Sequence, residues 1–146
     1  MSFQMAQLDV DNLNLDCGLE KSNLSVYAPY GNSKLATILF TRELARRLGE
    51  NSNINTYALC PGAVFTRNLE REPFFARLWI KFAFFNGSDG CLNTLHCTLS
   101  KSLENQSGKM YRLLDVWDIE DLVSDQQAGE LWKKSEELVG ITFKKP

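Results

Sequence analysis

The sequence predicts an α/β fold built on parallel strands. Three observations carry that expectation. An amphipathic helix runs from Ser33 to a glycine stop at Gly49. A short apolar strand, Ile54 to Cys60, ends at Pro61-Gly62. A second strand, Gly108 to Leu114, precedes a final helix from Ala128 to Val139. Helices that alternate with strands suggest a parallel arrangement covered on its faces.

The elements follow in chain order. Residues 1–29 mix Asn, Asp, Ser and Gly with isolated Leu and Val, and read as a loop region. Residues 30–49 form the long helix. Phe40, Leu44 and Leu48 recur at i, i+4, i+8, with Arg42, Glu43, Arg46 and Arg47 on the opposite arc. The apolar start of this helix predicts burial on both sides there. Residues 54–66 give a strand and a Pro-Gly turn. Residues 67–100 hold the aromatic stretch Phe74–Phe85, a short helix with Arg77 and Lys81 on one edge, and then a helix from Ser88 to Leu99. Residues 108–140 supply the last strand, an acidic loop from Asp115 to Asp125, and the closing helix, with Glu130–Lys134 and Lys133–Glu137 at i, i+4. Two strands with four helices do not complete a doubly wound sheet, so part of a domain is expected to be missing.

Composition narrows the function classes. The chain has 146 residues, the size of one domain. Sixteen basic and eighteen acidic residues give a net charge of -2, which offers no footprint for nucleic acid. His96 is the single histidine, so no site that needs two can form. Cysteines 17, 60, 91 and 97 contain no C-x-x-C pair and read as free thiols of a reducing compartment. The acidic run lacks EF-hand spacing, and no metal site is expected. The start MSFQMAQLDVDNLNLD has no signal-peptide pattern, and no run has the length of a membrane span. A cytoplasmic location is expected for the chain as written.

The residues that bear chemistry are Tyr30-Gly31-Asn32-Ser33-Lys34. Spacing of i, i+4 puts a phenol and an ammonium on one helical face, about 6 Å apart at Cβ. A phenol is a poor proton carrier at neutral pH unless a neighbouring cation favours its anion. Such a pair can exchange a proton with an alcohol or a carbonyl oxygen. A bare Y-x-x-x-K also occurs at many ordinary helix starts.

The segments YGNSKLATILFTRELARRL and INTYALCPGAVFTRNL, in this order, resemble the short-chain dehydrogenase/reductase family. GKMYRLL is similar to that family's last core strand, and ELWKKSEELVG to its closing helix. The likeness is strongest to the retinol-dehydrogenase-like branch and runs from about Asn12 to Gly140. It implies the C-terminal part of a Rossmann-type doubly wound parallel sheet, lacking the N-terminal dinucleotide-binding strands. It implies an oxidoreductase that moves hydride between NADP or NAD and a hydrophobic alcohol or carbonyl, such as a retinoid or steroid. Tyr30 would be the general acid/base. Lys34 would support it and hold the nicotinamide ribose. Pro61, Gly62, Val64 and Thr66 would anchor the nicotinamide carboxamide.

The sequence departs from that family at several points. Its nine glycines form no G-x-x-x-G-x-G turn to hold a pyrophosphate. The family's active-site serine has no counterpart, since no strand precedes Ser2. Cys60 stands where this branch usually has histidine, and reads as a buried thiol. Cofactor binding by this chain alone is therefore not expected. The alternative reading is a truncated, non-catalytic family member that acts through intact subunits, with the 33–48 helix as a homo- or hetero-oligomer contact. For a full-length parent, the endoplasmic reticulum membrane is a further expectation.

Other signals have plain readings. The stretch 74–85 suits a lid over a greasy substrate or packing against the sheet; shallow membrane docking has only two cations behind it. His96-Cys97 are adjacent on a helix and do not face each other, so they read as structural. Arg42, Arg46 and Arg47 read as a basic edge, solvated or paired.

Overall fold

The computed structural model describes residues 8–13, 24–65 and 73–145, the side chains of 24–27 and of Ala76 excepted. In chain order these form α1 (Leu24–Leu48), β1 (Ala58–Cys60), α2 (Phe74–Ala83), α3 (Gly87–Leu99), a single 3-10 turn (Lys101–Leu103), β2 (Met110–Arg112), β3 (Asp115–Val116) and α4 (Asp125–Val139). The fold is α/β with a small mixed sheet, in the order β1-β2-β3.

β1 and β2 pair in parallel, with Ala58 opposite Met110, Leu59 opposite Tyr111 and Cys60 opposite Arg112. Side chains alternate across a sheet, and here both faces are covered. Ala58 and Met110 join Leu35, Ile38 and Leu39 of α1 and Ala128 and Leu131 of α4 in the larger core. Tyr111 meets Cys97 and Leu103 on the other face, with Tyr57 and Leu59 against them. Three layers result: α1 and α4, the sheet, and α3.

The third strand corrects the parallel expectation. β3 runs antiparallel to β2, with Arg112 opposite Asp115. The two-residue connection, Leu113-Leu114, has φ of 53° and 66°. Two positive φ values make this a primed hairpin turn. That conformation costs a non-glycine residue about 1–2 kcal/mol and is not one that a Leu-Leu pair announces. The acidic loop also contributes core. Ile119 and Val123 are buried, while Glu120 and Asp125 both bind Arg42, at 2.8 and 2.6 Å.

The helix ends follow local chemistry. Gly49, at φ 75°, closes α1, and its N–H donates to the Ala45 carbonyl. Asn86 caps α3 by accepting from the Asp89 N–H, and Ser124 caps α4 by accepting from Gln127. Gly140, at φ 66°, ends α4.

Four expectations from periodicity are revised. The strand Ile54–Cys60 shortens to Ala58–Cys60, since only that stretch finds a ladder partner in β2. The long helix begins at Leu24 rather than Tyr30 and runs through Pro29. Proline lacks the N–H for a bond to the Ser25 carbonyl, and so reads as a helix start rather than an interior residue. Phe40 is 43% exposed and stacks on Trp132 of α4 instead of entering the core. Glu43, placed on the outer arc, is buried, with its side chain 0% exposed. It lies on the same i, i+4 stripe as Leu35 and Leu39. Arg46 and Arg47 reach it at 2.7 Å, which satisfies its charge.

Candidate active site

Helix periodicity places Tyr30, Ser33, Lys34 and Thr37 on one solvent-facing side of α1, opposite Leu35 and Leu39. Tyr30 is 56% exposed. The Lys34 ammonium lies over its ring, 5.3 Å from the centroid. Two bonds stiffen this face: the Ser33 hydroxyl donates to the Tyr30 carbonyl at 2.8 Å, and the Thr37 hydroxyl to the Ser33 carbonyl at 2.9 Å. The phenol and ammonium are therefore brought together on a surface that a ligand can reach.

The Pro61-Gly62 turn leaves the carboxyl end of β1, and three devices hold it. First, Val64 bridges to Phe85 in parallel register. The bond partners are the Phe65 N–H with the Phe85 carbonyl and the Phe85 N–H with the Ala63 carbonyl, each at 2.8 Å. The peptide groups of Val64 itself take no part in that bridge. Second, Gly62 adopts φ 83°, and a Cβ added to it would stand 3.2 Å from Cδ2 and Cε2 of Phe85. Third, Asn93 of α3 donates to the carbonyls of Cys60 and Tyr111, at 3.0 and 3.1 Å, and accepts from the Leu114 N–H at 3.2 Å. This buried amide ties together the carboxyl ends of both parallel strands. Sequence reading does not single it out, because α3 also carries Thr94, His96 and Thr98 and nothing in their spacing marks Asn93.

Thr66 lies outside the described residues. Cys60 is half-buried and packs against the larger core. Cys97 is buried, and desolvation pushes its thiol pKa up, the opposite of what an activated nucleophile needs. His96 meets Tyr111 edge-on, with ring centroids 6.2 Å apart. Among the described residues no cluster of His, Cys, Asp and Glu could hold a metal ion.

A cleft of about 930 Å³ lies elsewhere, between the second half of α1 and the β2–β3 hairpin. Its Arg42, Glu120 and Asp125 are already engaged with one another, so it is a seam between elements. A smaller cleft of about 510 Å³ borders Tyr57, Leu59 and Cys97. Neither includes Tyr30, Lys34 or the Pro-Gly turn.

Comparison with known proteins identifies relatives of one kind. No family model matches the chain. It is 37% identical over 127 residues to mouse retinol dehydrogenase 12, covering 85% of this chain and 40% of that protein. It is 34% identical over 147 residues to mouse retinol dehydrogenase 14, covering 95% of this chain and 42% of that protein. Bovine dehydrogenase/reductase SDR family member 13 matches at 33% over 120 residues, covering 77% and 31%. The chain is a homologue of the short-chain dehydrogenase/reductases, of the retinol dehydrogenase kind. It spans less than half the length of these relatives.

The cofactor that this family implies is a nicotinamide dinucleotide. The described residues fit its nicotinamide-ribose end. An exposed ammonium and phenol share one face, and the Val64 peptide groups are not used by the bridge at the turn. They do not fit its pyrophosphate. Pro73 precedes α2 and offers no N–H, while Asn86 and Ser124 already cap α3 and α4. Asp89 and Asp125 in the first turns of α3 and α4 would repel a phosphate.

Proposed function

We propose that this sequence is the catalytic, nicotinamide-facing portion of a short-chain oxidoreductase. Its reaction interconverts an alcohol and a carbonyl on a hydrophobic molecule, retinoid- or steroid-like. The observation that carries this reading is the Lys34 ammonium lying 5.3 Å over the Tyr30 ring on an exposed face of α1. The three strands then correspond to the last part of a doubly wound Rossmann-type sheet, whose ligands bind beyond the carboxyl ends of its strands.

When bound, NADP or NAD supplies the hydride chemistry. Tyr30 takes the alcohol proton in the oxidation direction and returns it to the carbonyl oxygen in reduction. Lys34, with its ammonium over the Tyr30 ring, binds the ribose hydroxyls. Pro61, Gly62, Val64 and Thr66 orient the carboxamide. The bridge to Phe85, the close approach of its ring to Gly62 and the Asn93 bonds keep that turn in place.

The test is Tyr30→Phe in the longest native polypeptide that carries this sequence. Turnover of retinol with NADP should fall by about 10²–10⁴-fold, the usual contribution of a general acid/base. Cofactor affinity should be retained, as read by fluorescence of the reduced nucleotide. Undiminished turnover would remove Tyr30 from its role.

A further inference from the structure

The hairpin between β2 and β3 holds a strained pair that the chemistry assigned to Tyr30 does not use. Leu113 and Leu114 have φ of 53° and 66°. Glycine or asparagine would take both places at little cost, whereas an apolar side chain gains nothing from a left-handed backbone. Neither leucine joins a core, and they are 63% and 47% exposed. Strain of this kind collects at ligand-binding positions, where a side chain is needed at a place the backbone disfavours.

The hairpin tip stands beside the Pro61-Gly62 turn. Cys60 pairs with Arg112 in parallel register, so Pro61 and Leu113 are the next residues on strands about 4.8 Å apart. Asn93 holds both exits at once: it donates to the Cys60 and Tyr111 carbonyls and accepts from the Leu114 N–H. Phe85, 46% exposed, approaches Gly62 of the neighbouring turn. The carboxyl ends of both parallel strands are thus edged with apolar side chains on a hydrogen-bonded frame. That is the end at which a doubly wound sheet receives its ligands.

We infer that Leu113 and Leu114 are specificity-determining residues: they form one wall of the substrate site and pack on the hydrocarbon body of the alcohol or carbonyl compound, away from its reacting carbon. This assignment rests on the proposed reaction and adds the residues that select its substrate. The position of the tip selects the occupant. A substrate that reaches past the carboxamide held at the Pro61-Gly62 turn meets the adjoining strand end, which is this hairpin. Two leucine side chains offer it apolar surface and no hydrogen bond. Such a wall suits a polyene or steroid skeleton and disfavours a polar chain.

The test compares two alcohols, with NADP, in the longest native polypeptide that carries this sequence. One is retinol. The other is prenol, which has the same allylic alcohol end without the polyene and ring. The pair Leu113→Asn and Leu114→Gly supplies the residues that such a turn prefers. The fold is therefore kept, and its thermal midpoint should rise by about 2–4 °C. The retinol-over-prenol ratio of kcat/KM should fall by about tenfold or more, chiefly through the KM for retinol. The pair Leu113→Met and Leu114→Met keeps hydrocarbon at both places and should restore most of that ratio. No turnover of retinol by the native polypeptide overturns the proposed reaction, and the assignment of the leucines falls with it. Turnover of retinol with an unchanged ratio in the first pair overturns the assignment alone. So does a lowered thermal midpoint in that pair, which would mean that the leucines serve the fold. Self-association lost in the first pair, with the ratio unchanged, would give the tip to a second copy instead.

Discussion

Gly90 of α3 is seated directly on Val64: a Cβ added to it would stand 2.6 Å from Val64 Cγ2 and 2.8 Å from Cγ1. A Cβ does not fit there unless Val64 shifts, so the first turn of α3 packs directly on the Val64 side chain. Gly90→Ala should cost about 1–3 kcal/mol, as overpacking does. Urea unfolding gives that cost. Gly87, with nothing within 4 Å of the same added atom, is the control. Equal effects at both positions would mean that helix propensity alone is being measured.

Asn93 connects the strand ends through three hydrogen bonds. Asn93→Leu would leave the carbonyls of Cys60 and Tyr111 and the N–H of Leu114 without this partner. A loss of about 3 kcal/mol is expected, since a buried unmade bond costs about 1–3 kcal/mol. Asn93→Asp keeps the size but turns an acceptor toward two carbonyls, and should be as harmful at neutral pH. Amide hydrogen exchange should rise at Leu114 in both variants. Unchanged protection there would show that the bond does not hold the hairpin.

Glu43 makes stability depend on pH. Its bonds to Arg46, and then to Arg47, hold its carboxyl below the ordinary glutamate value, although burial opposes this. A depressed folded value contributes stability at pH above the unfolded value, and that contribution is lost as pH falls through the folded one. The decline from this group therefore begins below about pH 4.3. Glu43→Gln should be less stable at pH 7 and should show a shallower acid decline in urea midpoints. A variant that parallels the native slope would acquit Glu43.

Much of this was readable from residue order. Gly49 ends α1 because glycine adopts a left-handed backbone freely, and its place after the periodic run shows that stop. The Tyr30–Lys34 pair was legible because one helical turn separates the two residues. Such signals are local, and local physics decides them.

Other features were set by partners distant in sequence. Glu43 is buried because α1 turns that stripe inward and two arginines neutralise it, although its charge predicts solvent. Phe40 stays half-exposed because Trp132 meets it at 4.9 Å from another helix. β3 exists because a hairpin tolerates two leucines at positive φ, which no turn preference favours. Gly90 and Asn93 matter only because α3 lies across the ends of β1 and β2. Sequence by itself determined the stop of α1, the one-turn spacing of Tyr30 and Lys34 and the kinship with short-chain dehydrogenases. The tertiary structure decided which polar groups are buried and how the Pro61-Gly62 turn is held, since those depend on contacts between segments that spacing along the chain does not specify.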